Sequence, residues 1–515
     1  MIIHRCDVIS VRPFPMCISN LISSEKIAAG RPCRAGVWLL WLIPSLYAVA
    51  LLSLGTFDLL RPVPPHGLVF NSMLDHLLHG QFDVDPAAIT VEAFIRNGRT
   101  IAYFGIFGAI LRLPLLLTKS LDRTDVTVLS LAVAVALSWL FRLLALLTVY
   151  RHARPTPRTT ELVLLAIFAA AFGGESIQFL RPSIYQEVIS WSVALAAGFI
   201  WLLIRFVLIP NANPRRHLIG MSLFAGLTFL ARPSTAIGLY AALSSVIGVR
   251  LLRDHASRGI TRAMVIQEFL GPVAILASFA AIAGLVNFGR WGNPFQFMDM
   301  RLYAMSHTVF LDRLPRLVRY GEFNVRRIFL GWQYYFAPLW IVPLPDGHLM
   351  LRQSMLRLFD GAELPPGSLL LTDPVTCLFA AYFFLGVVRG RPAPSFDRGT
   401  ALAAISGLAI PAVLMLTFIY LSHRYRMELY PFLDAASYFG LALLVRNSSP
   451  SRVRWDRTIA VLGGVGTTIA HFMLLAYWLT AFAPAADLNL SDDVIELYVS
   501  RLQGQAMLIG PHIMP

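Results

Sequence analysis

The chain reads as an all-α polytopic membrane protein of about 11 transmembrane helices with two long non-cytoplasmic loops, and three observations carry that reading. Of 515 residues, 57% are hydrophobic and only 14% are charged, and the mean hydropathy is +0.64. Apolar runs of roughly 20 residues recur along the chain, each long enough to cross a hydrocarbon core of about 30 Å. The short connections on one side of these runs are basic throughout, whereas those on the other side are either very short or long. A helix satisfies its own backbone groups in lipid, and the short alternating strands of a membrane barrel are absent from this sequence.

Taken in order, the expected spans are 37–59, 125–149, 161–180, 184–209, 217–231, 233–251, 263–287, 369–388, 400–420, 428–445 and 459–482. A cytoplasmic start places six basic clusters inside: a leader over 1–36 with Arg5, Arg12, Lys26, Arg31 and Arg34, then Arg151/Arg154/Arg158, Arg215/Arg216, Arg250/Arg253/Arg258/Arg262, Arg389/Arg391/Arg398 and Arg446/Arg452/Arg454/Arg457. Retention of these loops and attraction to anionic headgroups account for the net charge of +14. Nucleic acid is excluded as a partner, since no soluble basic domain exists to hold it. The leader and first span read as an uncleaved signal anchor, with no small-residue cleavage site behind them. Cys6, Cys17, Cys33 and Cys377 form neither a disulfide framework nor a CxxC metal pair.

The run 103–118, YFGIFGAILRLPLLLT, is short and holds Arg112 and Pro114. Counting it as a span would put Arg151–Arg158 outside, so it reads as an interfacial or re-entrant helix on the outer side. The domain plan is then a cytoplasmic leader (1–36), a membrane core (37–482) with outer loops at 61–124 and 288–368, and an outer tail (483–515). The second loop carries GRWGNPFQF, the string Arg313, Arg316, Arg319, Arg326 and Arg327, and the aromatic patch Trp332-Gln-Tyr334-Tyr335-Phe336. Such a patch is favoured at a membrane interface.

Chemistry concentrates in the first outer loop, where Asp75, His76, His79, Asp83, Asp85 and Glu92 crowd together. Asp75, Asp83 and Asp85 are the candidate catalytic acids. A carboxylate with its pKa raised by partial burial can take the proton of an incoming hydroxyl. Asp75 and His79, at i and i+4 on a helix, are the candidate ligands for a divalent metal. Glu92, Arg96, Arg232, His423, Arg424, Tyr425 and Arg426 are the candidate substrate-binding residues. The guanidinium groups at the outer ends of spans can hold a phosphate and offset its growing charge. Each has a plainer reading beside it: solvated loop acids, a Glu92–Arg96 pair at i,i+4, and arginines at span ends, Arg181 among them, that merely snorkel to headgroups. Arg142 and Arg205 are expected to snorkel, and His471 to be a hydrogen-bonded packing residue. P-loop, GxSxG, HExxH and Rossmann signatures are absent, which argues against a self-powered pump and a standard hydrolase.

A single span followed by a long acidic outer loop with an amphipathic helix, the closely spaced pair GLTFLARPSTAIGLYAAL, and HRYRMELYPFL entering a late span together resemble the GT-C superfamily of polytopic glycosyltransferases. The segments NGRTIAYFGIFGAILRLP, FGRWGNPFQF, YGEFNVRRIF and LLLTDPV are also similar to a poorly characterised set of bacterial membrane proteins with a GT-C-like core. The resemblance implies an inner-membrane enzyme that takes a polyprenyl-phosphate-linked sugar to a glycan, lipid or protein acceptor. It also implies an acid of the first outer loop as base or metal ligand, a role that falls on Asp75, Asp83 or Asp85. This chain has Asp83-Val-Asp85 in place of an adjacent acidic pair. A transporter or lipid flippase, or a noncatalytic membrane subunit, is the alternative, and fold likeness alone does not choose among them.

Overall fold

The computed structural model describes residues 34–481, apart from residue 65 and segments 154–156, 175–181, 210–212, 259–261, 309–310, 312, 337–357, 360, 363–367, 390–395 and 447–452. The first 33 residues, Arg181 and the expected tail at 483–515 lie outside the described residues.

Helices dominate. The main ones are α1 (Arg34–Leu52), α2 (Val69–Leu78), α3 (Thr127–His152), α4 (Pro157–Phe172), α5 (Ile184–Leu208), α6 (Pro214–Ala231) and α7 (Pro233–Arg258). They continue with α8 (Arg262–Trp291), α9 (Arg313–Tyr320), α10 (Ile328–Phe336), α11 (Pro374–Val388), α12 (Arg398–Thr417), α13 (Tyr430–Arg446) and α14 (Val453–Ala481). Among the described residues, eight helical segments are long and apolar enough to cross a membrane: those at α1, α3, α5, α7, α8, α12, α13 and α14. The protein is therefore a multi-pass membrane protein. Helices α4, α6 and α11 occupy the other three expected spans; α4 and α11 are apolar but shorter. The expected span at 369–388 is broken because Pro374 cannot continue the helix of residues Leu369–Thr372, and Asp373 sits at the break.

The run at 103–118 folds as two helical turns, Phe107–Ile110 and Pro114–Leu117, too short to span. Leu113, Leu116 and Leu117 face outward, while Arg112 turns into the core. There it donates to both carboxylate oxygens of Glu187 on α5.

Among the described residues, strands are confined to pairs of two or three residues. Phe94–Arg96 (β1) pairs antiparallel with Arg99–Ile101 (β2) around Asn97-Gly98, both at positive φ. That Asn-Gly turn between alternating residues is a type I′ hairpin signal. It replaces the helix on which a Glu92–Arg96 pair would form.

Packing in the bundle joins α3 to α5, α11 to α13, α7 to α12, and α6 to α8. In lipid, close backbone approach substitutes for the hydrophobic drive that brings helices together in water. At Gly440 of α13 a Cβ would overlap the Phe379 carbonyl oxygen of α11, so only glycine permits that spacing. Several buried charges are paired with an opposite charge from another segment. Arg142 of α3, expected to snorkel, is instead 5% exposed and donates from Nε to Asp434 of α13 at 3.0 Å. Two oppositely charged groups inside the bundle solvate each other where water cannot. His471 of α14 packs as expected, its Nε2 2.8 Å from the Tyr47 hydroxyl and its ring against Phe172.

Candidate functional site

The short 3-10 helix His423–Glu428 joins α12 to α13 and is the centre of the site. Serine at its N-cap accepts the Arg424 amide, which sets the turn. Three charges along it, two residues apart, go to three places. Glu428 is buried and forms an ion pair with Arg232 at the α6–α7 junction. It also accepts hydrogen bonds from Ser234 Oγ and Thr235 Oγ1, each at 2.6 Å. Arg426, fully buried, donates to Asp373 Oδ2 at 2.9 Å and to the Thr372 hydroxyl. Tyr430 donates to the same Asp373 oxygen at 2.8 Å, and the Gly174 amide donates to its partner oxygen at 2.9 Å. Arg424 lies with its guanidinium 4.3 Å from the Tyr185 ring centroid and its Nε 3.1 Å from the Ser422 hydroxyl.

Around Arg424 the fold gathers aromatic and acidic groups from both long loops, 61–124 and 288–368. Tyr103 lies within electrostatic reach of Tyr425, Glu92, Arg424 and Arg232. The Tyr303 hydroxyl, from the second loop, donates to Glu92 Oε2 at 2.6 Å. Arg313 lies over the Tyr303 and Tyr420 rings at 5.6 and 5.9 Å, and Arg232 over the Tyr425 ring at 5.7 Å. Burial pushes the Tyr103 and Tyr303 phenols well up, so both remain protonated donors at neutral pH. The assembly offers guanidinium groups, aromatic faces and one half-buried carboxylate at the end of an apolar bundle. That combination can hold a phosphorylated ligand and stack a sugar ring.

Of the residues singled out from sequence, the structure brings Glu92, Arg232, Arg424 and Tyr425 together. His423 is buried beside them, and Arg426 is engaged by Asp373 beneath them. Arg96 sits apart, donating from Nη1 to the Arg290 carbonyl at 2.7 Å.

The three aspartates form a separate arrangement at the end of α2. His76 Nδ1 lies 2.9 Å from Asp83 and its Nε2 3.4 Å from Asp85. Asp85 also accepts from Ser72 Oγ at 2.8 Å. Burial pulls the His76 imidazole down, but its bonds to Asp83 and Asp85 outweigh this and hold it above its usual value. Burial likewise raises Asp83, and the His76 contact more than reverses that, leaving it below the usual carboxylate range. Asp75 is exposed, 3.8 Å from His79, whose Nδ1 is already engaged by the Asp75 main-chain carbonyl at 2.8 Å. Two exposed side chains make an incomplete donor set, and no group of three or more His, Cys, Asp or Glu suited to a metal occurs among the described residues.

Sequence reasoning missed Glu428, Tyr103, Tyr185, Tyr303 and Arg313. Glu428 carried a signal, since an acid inside an apolar span demands a partner and Arg232 was already unexplained. The tyrosines carried none, because their proximity is created by contacts between distant loops.

No protein-family model matches the chain, and no curated protein matches it. Among solved structures it is similar to the oligosaccharyltransferase of Archaeoglobus fulgidus. The apo form matches at a TM-score of 0.40 and 16% identity, over 93% of this chain and 60% of that one. The same enzyme tethered to an acceptor peptide with an NVT sequon matches at 0.41 and 13%, over 94% and 59%. Its complex with an inhibitory peptide and a dolichol-phosphate matches at 0.41 and 14%, over 93% and 60%. The chain thus spans about three fifths of the length of the enzyme it matches.

Proposed function

We propose that this protein is a membrane glycosyltransferase of GT-C type that moves a sugar from a polyprenyl-phosphate donor to an acceptor hydroxyl at the outer face of the membrane. The observation that carries the reading is Arg424, held over the Tyr185 ring next to the Tyr303–Glu92 hydrogen bond at the end of a hydrophobic bundle. A lipid-linked donor needs this combination: apolar helices for its tail, a cation for its phosphate, aromatic faces for its sugar, and a carboxylate within reach. In this reaction the acceptor oxygen bonds to the sugar's anomeric carbon as the bond from that carbon to the phosphate oxygen breaks. The polyprenyl phosphate leaves with the electron pair, and the acceptor proton passes to a carboxylate. Arg424 offsets the charge growing on the leaving phosphate, the charge of Arg232 being already balanced by Glu428. The candidate bases are Asp75, Asp83 and Asp85, with Glu92 added because of its place beside Arg424.

The test uses purified protein in proteoliposomes with a radiolabelled polyprenyl-phosphate sugar, reading release of polyprenyl phosphate and labelled product. Asp75→Asn, Asp83→Asn, Asp85→Asn and Glu92→Gln are assayed in turn, with Arg424→Gln and Arg424→Lys alongside. At least one carboxamide variant should abolish transfer, and Arg424→Gln should lose more activity than Arg424→Lys, which keeps the charge. Normal product from all four folded carboxamide variants would remove the assignment.

A transporter is the second reading, favoured by the Arg142–Asp434 and Arg426–Asp373 pairs inside the bundle, since charges at membrane depth often mark transport paths. Flux of an intact lipid-linked sugar, without chemical conversion, would select it.

A further inference from the structure

The second outer loop carries a surface that neither the bundle nor the candidate site uses. On α9, Arg313 is buried against Tyr303 and Tyr420, whereas Val318 on the opposite face is 90% exposed, beside exposed Arg319. Further along, Val325, Phe329 and Trp332 follow one another at i, i+4 and i+7 and are 77%, 59% and 45% exposed. The Phe329, Trp332 and Phe336 rings stack in sequence at 6.4 and 6.3 Å, and Arg326 stands exposed next to Val325. This is a row of apolar side chains bordered by arginines, with water on no side that its composition favours.

The depth of this surface is fixed by its attachments. Asn324 donates from its backbone to the Thr417 carbonyl at 2.9 Å, and Arg327 Nη1 donates to the same oxygen at 3.1 Å. Thr417 is the last residue of α12, one of the helices long and apolar enough to span. Inside α10, a Cβ at Gly331 would press on the Leu416 backbone, so this helix lies directly on the end of α12. Arg327 is wholly buried and gives its remaining donors to the Gly321, Glu322 and Leu358 carbonyls, which makes the attachment rigid. The segment is thus pinned where a spanning helix ends, at the level of lipid headgroups.

We infer that residues 313–332 form a docking surface for an anionic phospholipid leaflet, with Val318, Val325, Phe329 and Trp332 entering the acyl boundary and Arg319 and Arg326 meeting headgroup phosphates. Charge complementarity selects this occupant. Within 313–332 the exposed charges are arginines, and the acid there, Glu322, is only partly exposed. The inference does not depend on the glycosyltransferase reading. It also gives α9 two faces one side chain apart: a lipid phosphate on Arg319 lies within about two helical turns of Arg313, at roughly 5.4 Å per turn.

The test uses full-length protein with Cys6, Cys17, Cys33 and Cys377 replaced by serine and a polarity-sensitive thiol probe at Val318→Cys or Val325→Cys. The protein is placed in nanodiscs of phosphatidylcholine, with or without phosphatidylglycerol, and quenched by lipids brominated near the headgroup or by aqueous iodide. Lipid quenching at both positions is expected, stronger with phosphatidylglycerol. In a phosphatidylglycerol titration, Arg319→Gln and Arg326→Gln should each weaken the anionic dependence about five-fold. Quenching by iodide alone overturns the docking. Shielding from both quenchers means a protein or a second copy covers the surface, and also overturns it. Lipid quenching that ignores phosphatidylglycerol, or keeps its full dependence without both arginines, overturns the anionic selectivity.

Discussion

Glu428 offers the sharpest test of how the site is built. Its carboxylate is 1% exposed and serves Arg232, Ser234 and Thr235 at once, while the Arg232 side chain is 18% exposed. Glu428→Gln preserves shape and one acceptor oxygen but leaves Arg232 without a counter-charge. Removing one partner of a buried pair costs about 3–5 kcal/mol, and partial exposure of Arg232 places this case toward the lower end. One hydroxyl loses its acceptor as well, for about 1 kcal/mol more. A loss of roughly 4 kcal/mol follows, a large share of the ~5–15 kcal/mol that stabilises a typical domain. Equilibrium unfolding in mixed micelles measures it. Arg232→Met should cost at least as much, because it strands a carboxylate that is only 1% exposed. The double variant should recover at least about 2 kcal/mol relative to the sum of the single changes, since the stranded charge is gone. A Glu428→Gln loss under about 1 kcal/mol, or strict additivity in the cycle, would refute the claim that this carboxylate clamps the 3-10 helix to the α6–α7 junction.

Further outcomes follow from the same geometry. His76 is held above its ordinary value of 6.5, so its stabilising bonds are fully present below that pH and fade as pH rises through the raised value. Asp83 is held below 3.8, so its contribution is present above that pH and lost as pH falls through the lowered value. Hydrogen-exchange protection over residues 72–85, corrected for the intrinsic pH dependence of exchange, should accordingly be highest between about pH 4 and 6.5, and Asp83→Asn should abolish the lower limit and weaken the upper one, which Asp85 still supports. Burial pushes Glu322 up to about 7 against the pull of Arg313 and Arg327. Folded protein therefore binds that proton more tightly than unfolded chain, and melting temperature should fall as pH rises from about 4.5 to 7, a slope that Glu322→Gln removes. Gly440→Ala should cost about 1–3 kcal/mol in the same unfolding assay through overlap with the Phe379 carbonyl.

The membrane architecture was legible because hydropathy is a local property, and each of the eleven expected spans holds a helix. Breaks within spans were less so: Pro374 announces one, yet the reason Asp373 sits there is visible only when Arg426 and Tyr430 arrive from α13. Asn97-Gly98 was a readable hairpin signal obscured by the helical spacing of Glu92 and Arg96. At the site, the arginines could be nominated from their position at span ends, since an unexplained charge there asks for a ligand or a partner. Which of the two each one has is a matter of tertiary contact. Arg426 and Arg232 have carboxylates, from residues 53 positions before and 196 after. Arg142 and Asp434, 292 residues apart, were individually unremarkable and explain each other only as a pair.

The segment His423–Val445 has the lowest mean hydropathy of the eight candidate spans, 1.2, and is 94% buried, the highest share among them. With Arg426, Glu428 and Asp434 along it, this helix is poorly suited to leave the translocation channel for bare lipid, where each charge at depth costs about 2.5–3.5 kcal/mol on insertion scales. Its counter-charges are Asp373, Arg232 and Arg142, and all three are synthesised before it. The order of the chain therefore makes the earlier helices a receptor for the last polar one. Biogenesis should stall at that helix when any of its three partners is removed, even where the finished protein would tolerate the change.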